Sequence, residues 1–265
     1  MRNLKEKVSI IMPAYNEADR IASSIEETAK TFNEFGCSWE LLVMDDGSSD
    51  DTYENATALI AKYPQQLIVK KNKLNLGKGR AIKKSLRYLS GAYVVWLDAD
   101  MELHPLQVQT LFDIMRLDNA DIVIGSKMHP NSKVNYPLHR RIVSLGYYFI
   151  IRILFNLPCH DTQTGLKLFK KEVLDKVFSR ILVKKFAFDL EVLVNAHHLG
   201  FSIVEAPIVL LHSKRKYRRI GVSALLVTFR DTLAIWYRMY ILKYYDRIDY
   251  YRRKGMLREF KRVRR

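Results

Sequence analysis

Short apolar runs and segments of helical period alternate along the first half of the chain. The run Val8-Ser-Ile-Ile-Met12 predicts a buried strand, and Glu17 to Phe35 carries Ile21, Ile25, Ala29 and Phe32 at helical spacing. Strands over Leu41 to Met44 and Leu67 to Val69 alternate with helices over Asp50 to Ala61 and Gly79 to Leu89. A strand over Tyr93 to Leu97, a helix over Pro105 to Met115 and a strand over Ile122 to Ile124 complete the series. Brief apolar runs separated by longer helical segments mark a parallel sheet covered on both faces, because its strands have no wet side. The expected fold class is α/β, a mostly parallel central sheet flanked by helices.

Ligands of such sheets sit beyond the carboxyl ends of the strands. Four polar segments follow strands here: Pro13-Ala-Tyr-Asn-Glu17, Asp45-Asp-Gly-Ser48, Asn72 to Gly79 and Asp98-Ala-Asp100. They are therefore expected to gather on one edge.

The second half is less regular. Pro137 to Pro158 reads as a helix rich in Ile, Leu, Phe and Tyr with Arg140, Arg141 and Arg152 among them. A loop at Asp161 to Gly165, a helix near Phe188 to Leu199, a strand near Ile203 to Ile208 and an amphipathic helix over Val222 to Tyr245 follow. No internal repeat, low-complexity tract or Gly/Ser linker divides the chain. The expected organisation is one catalytic domain over 1–220, with an interfacial helix at about 137–157, then an amphipathic helix and basic tail over 221–265.

Of the 265 residues, 48% are hydrophobic and 27% charged, which excludes wholesale disorder. Two cysteines, Cys37 and Cys159, are too few for a disulfide framework or a cysteine-ligated zinc. Lys and Arg number 44 against 28 Asp and Glu, a net +16, so an anionic partner is expected. Half of that excess lies in Arg238 to Arg265, with eleven basic and three acidic residues. The polar N-terminus predicts no cleaved leader. Ile142 to Ile151 falls short of the ~20 residues of a span, and Arg230, Asp231 and Arg238 interrupt the longer stretch after Val222. The chain is expected to lie on a membrane rather than to cross it.

Asp98-Ala-Asp100 offers two carboxylates on one strand-end turn, a donor set for hard divalent ions such as Mg²⁺ or Mn²⁺, with Glu102 as a third ligand. The alternative is a capped helix start before Pro105. At this point the chain resembles the inverting nucleotide-sugar glycosyltransferases of family 2, and within them the polyprenyl-phosphate (dolichyl-phosphate) hexose synthases. The segments that carry the resemblance, besides the first two loops and Asp98-Ala-Asp100, are Asn75-Leu-Gly-Lys-Gly79, Gly125-Ser-Lys127, Asp161-Thr-Gln-Thr-Gly-Leu-Lys167 and Phe188-Asp-Leu-Glu191. They cover roughly residues 8 to 221 and imply the GT-A-like transferase fold.

The resemblance implies that Pro13, Ala14, Tyr15 and Glu17 hold the nucleotide, Asp46 bonds the base or ribose, and Lys78 lies near the diphosphate. Asp98, Ala99 and Asp100 would form the DXD turn that carries the metal on the diphosphate. Glu102 departs from the Gln of mannosyl relatives. Lys127 stands where the family has Arg, and Arg140 and Ser144, four apart on one helix face, fit its phosphate-gripping pair. Arg219 falls where relatives carry a diphosphate-contacting Lys, and Lys214 or Arg215 substitutes for an Arg expected at Ser213. Asp189 and Glu191 would be the acceptor-side acid/base or sugar-orienting pair, of which only one can face the sugar. Asp161 and Gln163 would order the loop beneath it. Tyr15 as a core aromatic, Asp46 as a turn cap and Lys127 as a plain surface charge remain alternatives.

The chemistry accounts for this inventory. An acceptor phosphate is already ionised at neutral pH, so the difficulty is bringing it to a sugar diphosphate. Two unit charges 4 Å apart repel by ~1 kcal/mol in water and ~4 kcal/mol near a protein surface. Cations on both anions remove that penalty and stabilise the charge in transit. The expected activity is hexose transfer from a nucleotide sugar, UDP-glucose before GDP-mannose, to dolichyl or polyprenyl phosphate on the cytoplasmic face of a membrane. The helices near Leu145 to Ile151 and Leu225 to Leu242, with the basic tail, would meet an anionic leaflet. A homo-oligomer is left open. A nucleic-acid-binding protein is the reading from another class; it is not expected, because strand-end carboxylates repel a phosphate backbone.

Overall fold

The computed structural model describes residues 1, 4–134, 138–183, 187–210 and 222–256, with backbone alone for 138–140 and 222–225. Seven strands form one sheet in the order β3-β2-β1-β4-β6-β5-β7. They are β1 (Val8–Ala14), β2 (Trp39–Asp45), β3 (Leu67–Lys71), β4 (Tyr93–Trp96), β5 (Ile122–Ser126), β6 (Lys167–Lys170) and β7 (Ile203–Pro207). All neighbours are parallel except those of β6, which runs against both β4 and β5.

Alternate strand residues feed two cores, as the pleat requires. Val8, Ile10 and Met12 of β1 face α1 (Ile21–Phe35) and α4 (Val108–Leu117), while Ile11 faces the opposite layer with Trp96 and Phe169. That second layer holds α3 (Lys78–Ser85), α5 (Leu138–Phe155), α6 (Lys171–Val177) and α7 (Phe188–His198). A short α2 (Thr52–Ala58) lies between β2 and β3.

Three features depart from the pattern-based expectation. β6 and α6 had no periodic signal, because a four-residue strand and a two-turn helix are too short to display one. The helix expected over Val222 to Tyr245 is α8 (Val222–Trp236), a π turn (Tyr237–Ile241), a reversal at Lys243 (φ 47°) and α9 (Tyr244–Arg253). In a straight helix Arg238 and Tyr245 would stand ~10 Å apart along the axis. The break brings both to one buried carboxylate: Tyr245 donates to Glu191 at 2.6 Å, and Arg238 lies 3.9 Å from it. The described part of the basic tail is therefore partly inward-facing, with Tyr244 and Tyr245 in the core and Asp249 pairing buried Arg180 at 2.6 Å. Among the described residues, no helix is long and apolar enough to cross a membrane.

Candidate active site

β2, β1 and β4 are adjacent and parallel, so the ends of three motif-bearing strands meet on one rim; Ala14 is in register with Asp45, and Ile11 with Trp96. This is the topological switch point, where β2 and β4 flank β1 from opposite sides. The loop after β1 is stitched to the loop after β2. Asn16 takes a left-handed φ of 54°; its N–H donates to Ser48 Oγ (2.9 Å) and its Oδ1 accepts from Ser49 N (3.0 Å). Glu17 N donates to Thr52 Oγ1 at 2.8 Å, and Ala18 N to Asp50 Oδ2 at 3.2 Å.

A cleft of ≈ 290 Å³ opens on this rim, lined by Pro13, Ala14, Tyr15, Glu17, Asp46, Lys78, Asp98, Ala99 and Asp100, together with Asn75 and Gly77. Tyr15 is 46% exposed, so it is a platform at the cleft rather than a core aromatic. Asp46 is buried and mainly positions the chain: it accepts from Asn72 Nδ2 (2.7 Å), Leu76 N (3.1 Å) and Gly77 N (2.7 Å), fixing the loop that delivers Lys78. Asn75 and Gly77 carried no chemical signal of their own, since they contribute backbone shape.

Lys78 Nζ lies 2.5 Å from Asp98 Oδ1. Burial opposes the lysine's charge, but Asp98, Asp189 and Asp100 outweigh it and raise its pKa. Burial likewise pushes Asp98 up, yet Lys78, Lys167 and Lys127 hold it below the ordinary carboxylate range. Asp100 goes the other way: burial first, then the charge of Asp98, push it up to about 6. Glu102 meets Asp100 through its backbone, N–H to Oδ1 at 3.1 Å. Among the described residues no three ligating side chains form a ready cage. The donor set nevertheless suits a hard divalent cation that keeps most of its shell for water and phosphate oxygens: two acidic side chains on one turn, one of them carrying uncompensated negative charge.

The floor of the rim comes from β6. Because Trp96 is in register with Lys167, the antiparallel β6 begins beside the end of β4 and brings Thr164 and Gly165 under Asp98. A Cβ at Gly165 would overlap the Asp98 carboxylate, and one at Gly79 would overlap the Phe188 ring that seats α7 under α3. Thr164 Oγ1 is buried with no hydrogen-bond partner among the described residues. Lys167, fully buried, donates to Asp189 Oδ1 and to the Thr164 carbonyl, both at 2.5 Å, and sits over the Trp96 ring. Asp189 is thus buried beside Lys167 and close enough to the rim to raise the pKa of Lys78. Glu191 points away, accepting from Leu182 N (2.9 Å), Val183 N (2.7 Å) and Tyr245 Oη, and burial pushes its pKa up. It holds the fold and does not face the cleft, which removes it from the expected catalytic set. The reason is the helix pitch: two residues apart on α7 they point in different directions.

A second cleft, ≈ 380 Å³, is lined by Lys127, Ser144 and Asp161 with His129, Arg141, His160, Met128, Pro130, Ser132, Val134 and Leu145. Asp161 orders its own turn by accepting from Lys127 N and Gln163 N, both at 3.1 Å, and Gln163 is exposed. Arg140 lies on α5, but its side chain is outside the described residues, as are Lys214, Arg215 and Arg219. Sequence reasoning missed His160 and Arg141. A histidine beside Asp161 was a visible signal, whereas Arg141 is identified only by where α5 lies.

The family model "Glycosyl transferase family 2" matches residues 9–178. Over 213 residues the chain is 32% identical to the dolichyl-phosphate beta-glucosyltransferase of Dictyostelium discoideum, covering 76% of this chain and 65% of that protein, just under two thirds of its length. Over 249 residues it is 29% identical to a dolichyl-phosphate beta-glucosyltransferase of Trichomonas vaginalis, covering 91% and 76%. Among solved structures, glucosyl-3-phosphoglycerate synthase from Mycobacterium tuberculosis in complex with Mn²⁺, uridine diphosphate and phosphoglyceric acid shares the fold at TM-score 0.65 and 22% identity, covering 88% of this chain and 78% of that chain. The strand-end segments, read in order around the β2-β1-β4 rim, and a family match over most of the sheet lead to one conclusion: the chain belongs to glycosyl transferase family 2.

Proposed function

We propose that this protein transfers glucose from UDP-glucose to dolichyl or polyprenyl phosphate with inversion, on the cytoplasmic face of a membrane. The observation that carries the reading is the pairing of two clefts: an acidic rim with Asp98, Asp100 and Lys78, and beside it a pocket that combines Lys127 and Arg141 with Met128, Val134 and Leu145. The first suits a nucleoside diphosphate carrying a cation. The second suits a phosphomonoester with an apolar tail. The names of the Dictyostelium and Trichomonas relatives support the same donor sugar and acceptor.

In this reading Tyr15 and Glu17 receive the nucleoside, Lys78 neutralises the leaving diphosphate, and Thr164 and Asp189 orient sugar hydroxyls from below. Lys127 draws the acceptor phosphate toward the anomeric carbon. One phosphate oxygen forms the new bond to C1 as the bond from C1 to the diphosphate oxygen breaks; UDP departs with the electron pair, and the α-linked sugar becomes β. No strong base is required, because the nucleophile is already an anion. Asp98 and Asp100 would hold a divalent cation, Mg²⁺ or Mn²⁺, whose chemistry is charge neutralisation at the leaving group.

The test is incubation with a polyprenyl phosphate, Mg²⁺ or Mn²⁺ and separately labelled UDP-glucose and GDP-mannose, followed by solvent extraction. Labelled glucose is expected in the organic phase. Extraction of mannose alone would replace the donor, and extraction of neither would overturn the reading.

Membrane attachment is part of the proposal. Ile142, Leu145, Phe149 and Ile153 form an exposed stripe on α5, and Leu226, Phe229 and Leu233 of α8 form another that continues to Tyr237 of the π turn. Tyr147 and Thr232 join the two helices at 3.0 Å. Changing Ile153, Leu226 and Leu233 together to serine should weaken partitioning into anionic vesicles by ~100-fold, at about 1 kcal/mol for each partly inserted side chain. Unchanged partitioning would reject the stripes as the docking face. A dimer that forms without vesicles and is lost in the triple variant would assign them to a homo-oligomer instead.

A further inference from the structure

We infer that His160, held in place by Glu205, is a direct ligand of the acceptor's phosphate group. The inference rests on the acceptor reading of the second cleft and adds a residue to it.

Glu205 on β7 fixes the turn before Asp161 from three sides. Its Oε1 accepts from His160 N (2.8 Å) and Asp161 N (3.0 Å), and its Oε2 meets His160 Nδ1 at 2.6 Å. The imidazole also stacks on Tyr148 of α5, ring centroids 4.6 Å apart. A carboxylate can only accept, so Nδ1 carries a proton and Nε2 is the remaining polar atom of the ring. Among the described residues Nε2 has no hydrogen-bond partner, and the side chain is 47% exposed while lining the second cleft. Glu205 is only 10% exposed, so the anchor is rigid and the ring is presented.

The surroundings suit a phosphomonoester. Lys127 and Arg141 supply positive charge from two other elements, and Met128, Val134 and Leu145 supply an apolar wall for the first isoprene unit. Asp161, the acidic group of the cleft, has its carboxylate on Lys127 N and Gln163 N, and His129 Nδ1 accepts from Asn131 N at 3.2 Å. With Nδ1 held on Glu205, Nε2 is the ring atom left to meet a phosphate, donating to an ionised oxygen from the imidazolium or accepting from a phosphate hydroxyl. A carboxylate behind a ligating histidine fixes ring orientation in the same way at metal sites.

Steady-state kinetics of the full chain with UDP-glucose and a polyprenyl phosphate separates ligand from mere brace. His160→Asn keeps a donor for Glu205 but has nothing at the Nε2 position; the KM for the lipid phosphate should rise ~10–100-fold, the effect of losing one charge-assisted hydrogen bond. The KM for UDP-glucose and kcat at saturating acceptor should stay within about threefold. His160→Gln, whose amide reaches the Nε2 position, should recover most of the loss. Glu205→Gln, which still accepts both backbone N–H groups, should raise the acceptor KM by less than His160→Asn. An unchanged acceptor KM in His160→Asn, alongside normal wild-type transfer, overturns the inference and leaves the proposed function standing.

A binding measurement covers variants that do not fold. The His160 ring signals of the wild-type protein should shift in NMR spectra on titration with a short isoprenyl phosphate, and less at equal concentrations of inorganic phosphate. Signals that do not move overturn the inference, and equal responses overturn its assignment to the lipid acceptor. If the signals move but the wild-type protein transfers glucose to no polyprenyl phosphate, the phosphate site stands and the proposed function falls.

Discussion

Asp100→Asn will make the metal-free protein more heat-stable at pH 7.5 while lowering the proposed glucose transfer by at least ~10²–10³-fold, the scale of losing one electrostatic partner of a transition state. The stability gain follows from the carboxylate's raised pKa, which burial and Asp98 push to about 6. In the unfolded chain an aspartate titrates near ~4. The folded state therefore binds the proton more tightly, and stability falls as pH rises from about 4 through about 6. Above that range the wild-type fold carries a penalty of the order of 1–2 kcal/mol after allowance for screening. Asparagine removes the charge and can still accept from Glu102 N, so its Tm should exceed wild type by roughly 2–6 °C at pH 7.5 and match it near pH 4. Mn²⁺ with UDP should reverse the order by stabilising only the wild type. A metal-free Asp100→Asn protein that melts below wild type at pH 7.5, or one that retains full transfer, would contradict the assignment of this carboxylate as a poised cation ligand.

Lys167→Met is expected to cost ~3–5 kcal/mol of stability, the usual loss when one member of a buried ion pair is removed. Lys167 is fully buried, and the Asp189 side chain is 8% exposed, so methionine would leave a carboxylate and the Thr164 carbonyl without their shared donor. Denaturant unfolding should show the midpoint drop. Lys167→Met with Asp189→Leu should regain most of the stability, since the uncompensated charge is gone, yet remain inactive under the proposed role of Asp189 in orienting the sugar. A double variant as unstable as the single one would mean that the lysine stabilises by packing on Trp96. A double variant with normal transfer would remove Asp189 from the sugar site.

The alternation of the first half was readable because its central strands are buried on both faces and its longer helices, α1 and α4, carry an apolar stripe. Val8 to Ala14 and Trp39 to Asp45 are examples in which nearly every side chain is buried. β6 was not readable, for Lys167 and Lys170 frame only Leu168 and Phe169, a pattern that resembles a turn. That the strand-end segments line one cleft was legible from their placement, yet the work of Asp46 was not. Its carboxylate oxygens accept hydrogen bonds from Asn72, Leu76 and Gly77, partners 26 to 31 residues away in sequence. The same holds for Glu191, whose partners Leu182, Val183 and Tyr245 reach it from a loop and from α9.

The sequence by itself determined the layer architecture, the common edge of the four strand-end motifs and the acidic character of the rim. Period, strand length and side-chain chemistry are local properties, and local properties are written residue by residue. Tertiary structure alone decided which carboxylates face the rim and which brace the fold, that an antiparallel strand carries Thr164 and Gly165 beneath Asp98, and that Glu205 aims a histidine into the second cleft. Each of those outcomes depends on contacts between segments distant along the chain, and such contacts are selected by packing and hydrogen-bond satisfaction of the whole molecule rather than by any single stretch of it.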